Sequence, residues 1–221
     1  FKGDEIEFPE DGYQGEDIKD LAKEYADLNG DSLVNVSAEE RKKALVGYAL
    51  PKNIKKMQAD MEKYKIFYDK WFFESELHKS GAVKAVVDLL TEKGLTYEKE
   101  GAVWYKNKEV LTQKLLKEGK SQKYIDNLEL KDDVLIRQNG NPTYFTADIA
   151  YHKNKFDRGF TTLIDVWGAD HHGHVMRMKG AMDAIGYDGD KLNVVLMQLV
   201  KLVKDGELVR MSKRTGKAIQ L

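Results

Sequence analysis

Apolar residues recur at helical spacing in four stretches of the first 94 residues. Ile18, Leu21, Ala22 and Tyr25 form the first, beginning at Asp17, with Gly30 placed to stop it. Ala44, Leu45, Tyr48 and Ala49 form the second. It starts at Ser37-Ala38-Glu39-Glu40, a hydroxyl and a carboxylate in capping-box order, and Pro51 should end or kink it. Ile54, Met57, Met61 and Tyr64 continue beyond the proline. Val83, Val86, Val87 and Leu90 form the fourth, between a Ser80 cap and a closing Gly94. Residues 1–16 are polar and glycine-rich, with Pro9 and Asp11-Gly12, and suggest a lead-in loop with a short edge strand. Residues 107–131 are lysine-rich with weak periodicity (Val110, Leu111, Leu115, Tyr124, Leu128), which predicts helix and loop with the lysines on a solvated face.

Other stretches have strand character. Leu95–Tyr97 and Ala102–Tyr105, joined by Glu98-Lys99-Glu100-Gly101, predict a hairpin. Val134–Arg137, Asn139-Gly140 and Thr143–Phe145 predict a second, tight hairpin, followed by helix over Ala147–Phe156. Thr161–Trp167 predicts a buried strand by its β-branched and apolar content, ended by Gly168. A helix from His172 to Ile185 follows, with Val175, Met178, Met182 and Ile185 on one face and Gly186 closing it. Asn193–Val200 predicts another strand. Strand, helix and strand in this order make a βαβ unit, which favours a parallel sheet and an α/β fold. The chain then enters a hairpin over Val200–Val209, turned at Asp205-Gly206. Residues 65–78 are the most aromatic part of the chain. They could stack on nucleic-acid bases, but a buried extended core segment is the favoured reading.

Composition narrows the chemistry. The 221 residues are 42% hydrophobic and 33% charged with a net charge of −1, so a polyanion site must be local rather than a whole-protein field. The absence of Cys excludes thiol catalysis, thiolate metal sites and disulfides, and fits a cytoplasmic protein. No apolar run approaches a membrane span and no signal peptide is visible. The first residue is Phe1, so the expectation is a piece of a longer chain.

Two segments carry candidate chemistry. Gly168-Ala169-Asp170-His171-His172-Gly173-His174 falls at a strand end and a helix N-terminus, where free amides and the helix dipole favour phosphate or ribose. Asp170 could accept from ribose hydroxyls or cap the helix, and the two roles are compatible. A metal is disfavoured, because His171, His172 and His174 cannot all point inward from one helical turn. The second segment is Arg210-Met211-Ser212-Lys213-Arg214, a cationic loop after the hairpin that could close over a polyphosphate. Taken alone it could equally be a solvated basic loop.

Arg210-Met211-Ser212-Lys213-Arg214 resembles the KMSKS signature of class I aminoacyl-tRNA synthetases, with Arg replacing the first Lys and the final Ser. Thr143–Lys153 and Trp167–Gly173 resemble arginyl-tRNA synthetases of the bacterial type, as do Pro9–Gly15 and Trp71-Phe72…Leu77-His78. The resemblance spans nearly the whole chain and is weakest over 107–131. It implies ATP-dependent activation of arginine to arginyl-adenylate, with Mg2+, and transfer to tRNA(Arg). It implies residues 1–131 as a lead-in and α+β connective insertion. Residues 132–221 would be the second half of a Rossmann-like parallel sheet. It assigns Tyr144 and Asp148 to the arginine pocket, where a guanidinium needs a forked carboxylate. Met211, Ser212 and Lys213 would form the catalytic loop, Lys213 meeting the phosphates. Gly168, Asp170, His171, His174 and the backbone near Val209 would hold the nucleotide.

The signature HIGH is expected upstream of Phe1, and an anticodon-binding domain beyond Leu221, so the chain alone is expected to be inactive. His171-His172-Gly173-His174 fits H-x-G-H literally but lies in the wrong half of the fold. It supports an alternative, a small nucleotidyltransferase, though too little chain follows it for the rest of such a sheet. A further alternative is a non-catalytic RNA-binding module that kept the synthetase fold.

Overall fold

The computed structural model describes residue 12 and residues 15–198 and 200–209. It divides into two compact units, residues 1–70 with 201–221, and residues 71–200. No helix among the described residues is long and apolar enough to cross a membrane.

In the first unit α1 (Glu16–Asn29) and α2 (Ala38–Lys63) pack with Tyr25 edge-on to Tyr48, ring centroids 5.1 Å apart. The capping box forms as the sequence predicts. Ser37 Oγ accepts from the Glu40 N–H at 3.2 Å, and the Glu40 carboxylate accepts from the Ser37 N–H at 3.0 Å. Arg41 ties the incoming loop down by donating to the carbonyls of Leu33, Val34 and Val36. Pro51 lies inside α2 and does not end it. Its ring leaves the carbonyl of Gly47 without a helical partner, but Gly47 is exposed and water can serve that carbonyl. The helix ends at Lys63, and just past it Lys65 takes the left-handed region (φ 62°) while the Ile66 N–H reaches back to Met61 O at 3.0 Å.

The aromatic run is not a buried core segment. Ile66, Phe67 and Tyr68 are exposed, Phe67 to 71%, and only Phe72 and Leu77 join the core. Lys65, Asp69 and Lys70 interrupt the run, and no regular element gives its apolar side chains a common face.

The second unit is built from α3 (Glu74–Lys79), α4 (Ala82–Glu92), β1 (Thr96–Lys99), β2 (Ala102–Tyr105), α5 (Asn107–Lys117), α6 (Gln122–Asp126), β3 (Asp133–Ile136), α7 (Tyr144–Asp157), β4 (Leu163–Gly168), α8 (His172–Ile185) and β5 (Leu192–Met197). Its core joins Val86, Leu90, Tyr105, Leu135, Phe145, Ile149, Met178, Met182 and Leu192. Ser80 closes α3 rather than opening α4, its hydroxyl donating to the Leu77 carbonyl, and Gly81 (φ 76°) starts α4. β1, β2 and β3 form an antiparallel sheet in that order. Thus β3, expected in the second half of the chain, packs beside the hairpin expected in the insertion, and the packing unit crosses residue 131.

The predicted hairpin at 134–145 forms only as far as one bridge, Ile136 to Pro142. Pro142 has no N–H to extend a ladder. The Thr143 and Thr146 hydroxyls donate to the carbonyls of Val134 and Leu135, both at 2.7 Å. The chain therefore turns into α7 at Tyr144, which is the first residue of a helix rather than a strand residue.

β4 and β5 pair in parallel, in register from Leu163–Leu192 to Gly168–Met197, with α8 as the crossover. The strands are shorter and more one-sided than expected. Leu163 and Asp165 are buried under the helices, whereas Ile164 and Val166 on the opposite face are 69% and 67% exposed. In the first unit, β6 (Leu202–Lys204) and β7 (Glu207–Val209) make the predicted hairpin, with Asp205 (φ 54°) and Gly206 (φ 83°) in its turn.

Candidate active site

At the C-terminal end of β4 the second unit has a cleft of about 410 Å3. One wall is α7, contributing Asp148, Tyr151, His152 and Lys155. The other is the end of β4 and the start of α8, contributing Asp165, Trp167, Gly168, His171 and His174. The α7 residues share a face because 148, 152 and 155 are spaced by one helical turn. Asp165 and Trp167 share a face of β4 because strand side chains alternate.

Asp148 stands at the lip, its side chain 47% exposed, with Oδ2 3.2 Å from His174 Nε2. The His174 ring packs at 5.3 Å from Trp167 and edge-on to Phe145 at 5.6 Å. Behind His174, Arg177 pairs with Asp133 through two of its nitrogens, Nε lying 3.0 Å from Oδ2 and Nη2 meeting Oδ1, and its guanidinium covers the Phe145 ring at 4.8 Å. Burial pushes the Asp133 carboxyl above its ordinary range, and the pull of Arg177 and His174 offsets only part of that.

Beneath the lip the cleft floor is polar and largely buried. His152 is 3% exposed. Its Nδ1 lies 2.7 Å from the Asp148 carbonyl and its Nε2 2.5 Å from Asp165 Oδ2. Lys155 Nζ donates to the other Asp165 oxygen at 2.7 Å. Burial alone would raise the Asp165 carboxyl. The hydrogen bonds from His152 and Lys155 outweigh it and hold the group below its ordinary value.

Of the residues singled out in the sequence, Asp148, Gly168, His171 and His174 line this one cleft. Tyr144 lies one turn before Asp148 but is 79% exposed and outside the cleft lining, with the Arg137 guanidinium 6.0 Å from its ring centroid. Asp170 is also outside the lining. It sits in a single 3-10 turn (Ala169–His171), near His171 at 3.7 Å, and does not cap α8, whose cap position is His171. Among the described residues no group of three could hold a metal ion. Val209 ends β7 in the other unit. Met211, Ser212 and Lys213 lie outside the described residues.

His152, Lys155, Asp165, Trp167 and Tyr151 were not singled out as site residues from the sequence. Two signals point to three of them. Asp165 is a lone charge inside an apolar strand, and His152 and Lys155 continue the helical stripe that begins at Asp148.

No family model matches the sequence. The arginine–tRNA ligase of Ruminiclostridium cellulolyticum is 52% identical over 219 residues, and that of Caldanaerobacter subterraneus is 56% identical over 220. Both alignments cover 99% of this chain. The chain is homologous to a segment of arginine–tRNA ligases. It spans 36% of the length of these ligase relatives. Among solved structures, one described as an arginyl-tRNA synthetase from Campylobacter jejuni superposes with a TM-score of 0.74 at 36% identity. It covers 94% of this chain and 41% of that one. The Thermus thermophilus arginyl-tRNA synthetase shares the fold alone, with a TM-score of 0.56 at 18% identity over 81% of this chain and 34% of that one.

Proposed function

We propose that the cleft is part of the amino-acid activation site of an arginine–tRNA ligase, in which Asp148 selects the arginine guanidinium. The observation that carries this reading is the Asp148 carboxylate. It is half-exposed at the mouth of a cleft at a parallel strand end, steadied on one oxygen by His174, with acceptor capacity left for a forked donor. Tyr144, one turn earlier and exposed, is available to the same substrate. Gly168 and His171 offer a backbone edge and a donor for the nucleotide, with Asp170 beside them for the ribose; the Val209 backbone is assigned to the adenine by the family resemblance alone.

In this reading the substrate carboxylate attacks the α-phosphorus of ATP. The new P–O bond forms as the bond to pyrophosphate breaks, and tRNA(Arg) later accepts the arginyl group. Met211, Ser212 and Lys213 are assigned to the phosphate side, where Lys213 meets charge building on the leaving pyrophosphate. Mg2+ would arrive on the nucleotide, which needs few protein ligands of its own. Residues 1–131 as insertion and 132–221 as the second half of a Rossmann-like sheet belong to the same reading. It is consistent with a parallel pair covered on one face only, since parallel sheets are ordinarily covered on both.

The test is arginine-dependent ATP–pyrophosphate exchange in the full-length ligase carrying Asp148→Ala. Loss of a charged hydrogen-bond partner, about 1.5–3 kcal/mol, raises the arginine KM by roughly 10- to 150-fold. An unchanged KM removes Asp148 from the pocket, and exchange that ignores arginine altogether would favour a nucleotidyltransferase.

A further inference from the structure

The charged floor under Asp148 is a feature that the cleft's proposed chemistry does not use. We propose that His152 and Asp165, braced by Lys155, are positioning residues that fix the α7 backbone at Asp148 and so aim its carboxylate at the substrate. This inference rests on the reading of Asp148 given above.

The geometry is specific. The Asp148 carbonyl can only accept, so His152 Nδ1 donates to it at 2.7 Å. The helix already directs the N–H of residue 152 to that carbonyl, so one oxygen is held from backbone and ring together. His152 Nε2 faces the Asp165 carboxylate at 2.5 Å, and Lys155 holds that carboxylate in its charged, accepting form at 2.7 Å. The imidazole is therefore a strut from Asp165 on β4 to the main chain of Asp148. The Asp148 side chain is steadied separately by His174 at 3.2 Å. Trp167 lies between the two histidines, its ring 6.2 Å from His152 and 5.3 Å from His174. One residue is thus gripped at its carbonyl and at its carboxylate by two imidazoles that share one indole.

Stability alone does not account for this arrangement. Well-packed apolar side chains commonly replace buried polar pairs at no loss of stability, so a buried His152–Asp165 pair braced by Lys155 in a cleft wall calls for another reason. Aim supplies one, because a misplacement near 1 Å can cost about 100-fold in rate.

The experiment uses the full-length ligase, with arginine KM, ATP KM and kcat measured by pyrophosphate exchange and the active fraction titrated. His152→Ala and His152→Gln should raise the arginine KM by about 10-fold or more while the ATP KM stays within about 2-fold. Asp165→Asn should raise the arginine KM by less than His152→Ala does, because its amide can donate to Nε2 and its oxygen still accepts from Lys155. A merely structural role would lower the active fraction without separating the two KM values. An arginine KM that does not move in either His152 variant overturns the proposal, as do parallel rises in both KM values or an Asp165→Asn defect as large as that of His152→Ala. Asp148→Ala is measured alongside. If it raises the arginine KM and the His152 variants do not, only the positioning role fails. If Asp148→Ala itself has no effect, the reading of Asp148 fails and takes this inference with it.

Discussion

Gly189 is the position where the crossover from α8 back to β5 has no room for a side chain. A Cβ built there would lie 2.3 Å from the Lys179 carbonyl oxygen, 2.9 Å from its carbon and 2.9 Å from Asp183 Oδ1. Normal contacts begin near 3.5 Å, so Gly189→Ala demands a shift of about 1 Å against helix backbone. The same shift pulls on the Gly189 N–H, which donates to Asp183 Oδ1 at 2.7 Å, while Lys114 holds the other Asp183 oxygen at 2.7 Å. Overpacking costs about 1–3 kcal/mol and a strained bond to a charged acceptor up to about 1.5–3, so the loss should be roughly 3–5 kcal/mol. Gly186→Ala is the control. Gly186 has φ 100° but nothing within 4 Å of its Cβ position, so it suffers only backbone strain of about 1–2 kcal/mol. Urea unfolding followed by tryptophan fluorescence gives both values from midpoints at a common slope. If Gly189→Ala costs no more than Gly186→Ala, the close approach to Lys179 is not what fixes the crossover.

Three further outcomes are expected. Met182→Ala empties a fully buried site in the core and should lower unfolding free energy by about 2–5 kcal/mol in the same assay. The folded-state pKa of Asp165 is depressed, so its contribution is complete above the ordinary carboxylate value of 3.8 and is lost as pH falls through the lower folded value. The stability gap between wild type and Asp165→Asn should therefore be present at neutral pH and shrink near pH 3, and a gap that widens in acid would contradict it. Lys213→Ala in the full-length ligase should lower kcat for pyrophosphate exchange with little change in arginine KM, and a change confined to KM would remove its transition-state role.

Much of the architecture was legible because it rests on local rules. Ser37–Glu40, Glu100-Gly101, Asp205-Gly206 and Gly186 each specify a cap or turn through their own backbone or side-chain needs, and each forms. The errors came where partners distant in sequence or side chains competed with a local rule. Asn139-Gly140 does turn the chain, and the Thr143 N–H returns to the Leu135 carbonyl at 2.8 Å, but Pro142 has no N–H and α7 begins at Tyr144 before a ladder can extend. Pro51 is tolerated because the carbonyl it leaves open is on the exposed side of α2. The aromatic run was assigned to the core by composition, which does not tell which faces find a neighbour. In the site, groups at motif-like positions were found, and those recognisable only by pairing a helix with a later strand were missed.

That pairing explains how one strand can serve both core and cleft. The covered face of β4 carries Leu163, Asp165 and Trp167 in succession toward the C-terminal end. Leu163 is part of the hydrophobic core. Asp165, one step on, is still buried but needs charge, and α7 answers with His152 and Lys155 from the stripe that ends in Asp148. Beside that stripe, Phe145 and Ile149 on the same helix face the core. A period of two on the strand and of 3.6 on the helix therefore meet over a short span. Apolar residues oppose apolar ones at the closed end, and charges oppose charges where the cleft opens. The polarity of the cleft is built from the alternation that folds the sheet, and the imidazole that meets Asp165 on β4 is the one that holds the Asp148 carbonyl.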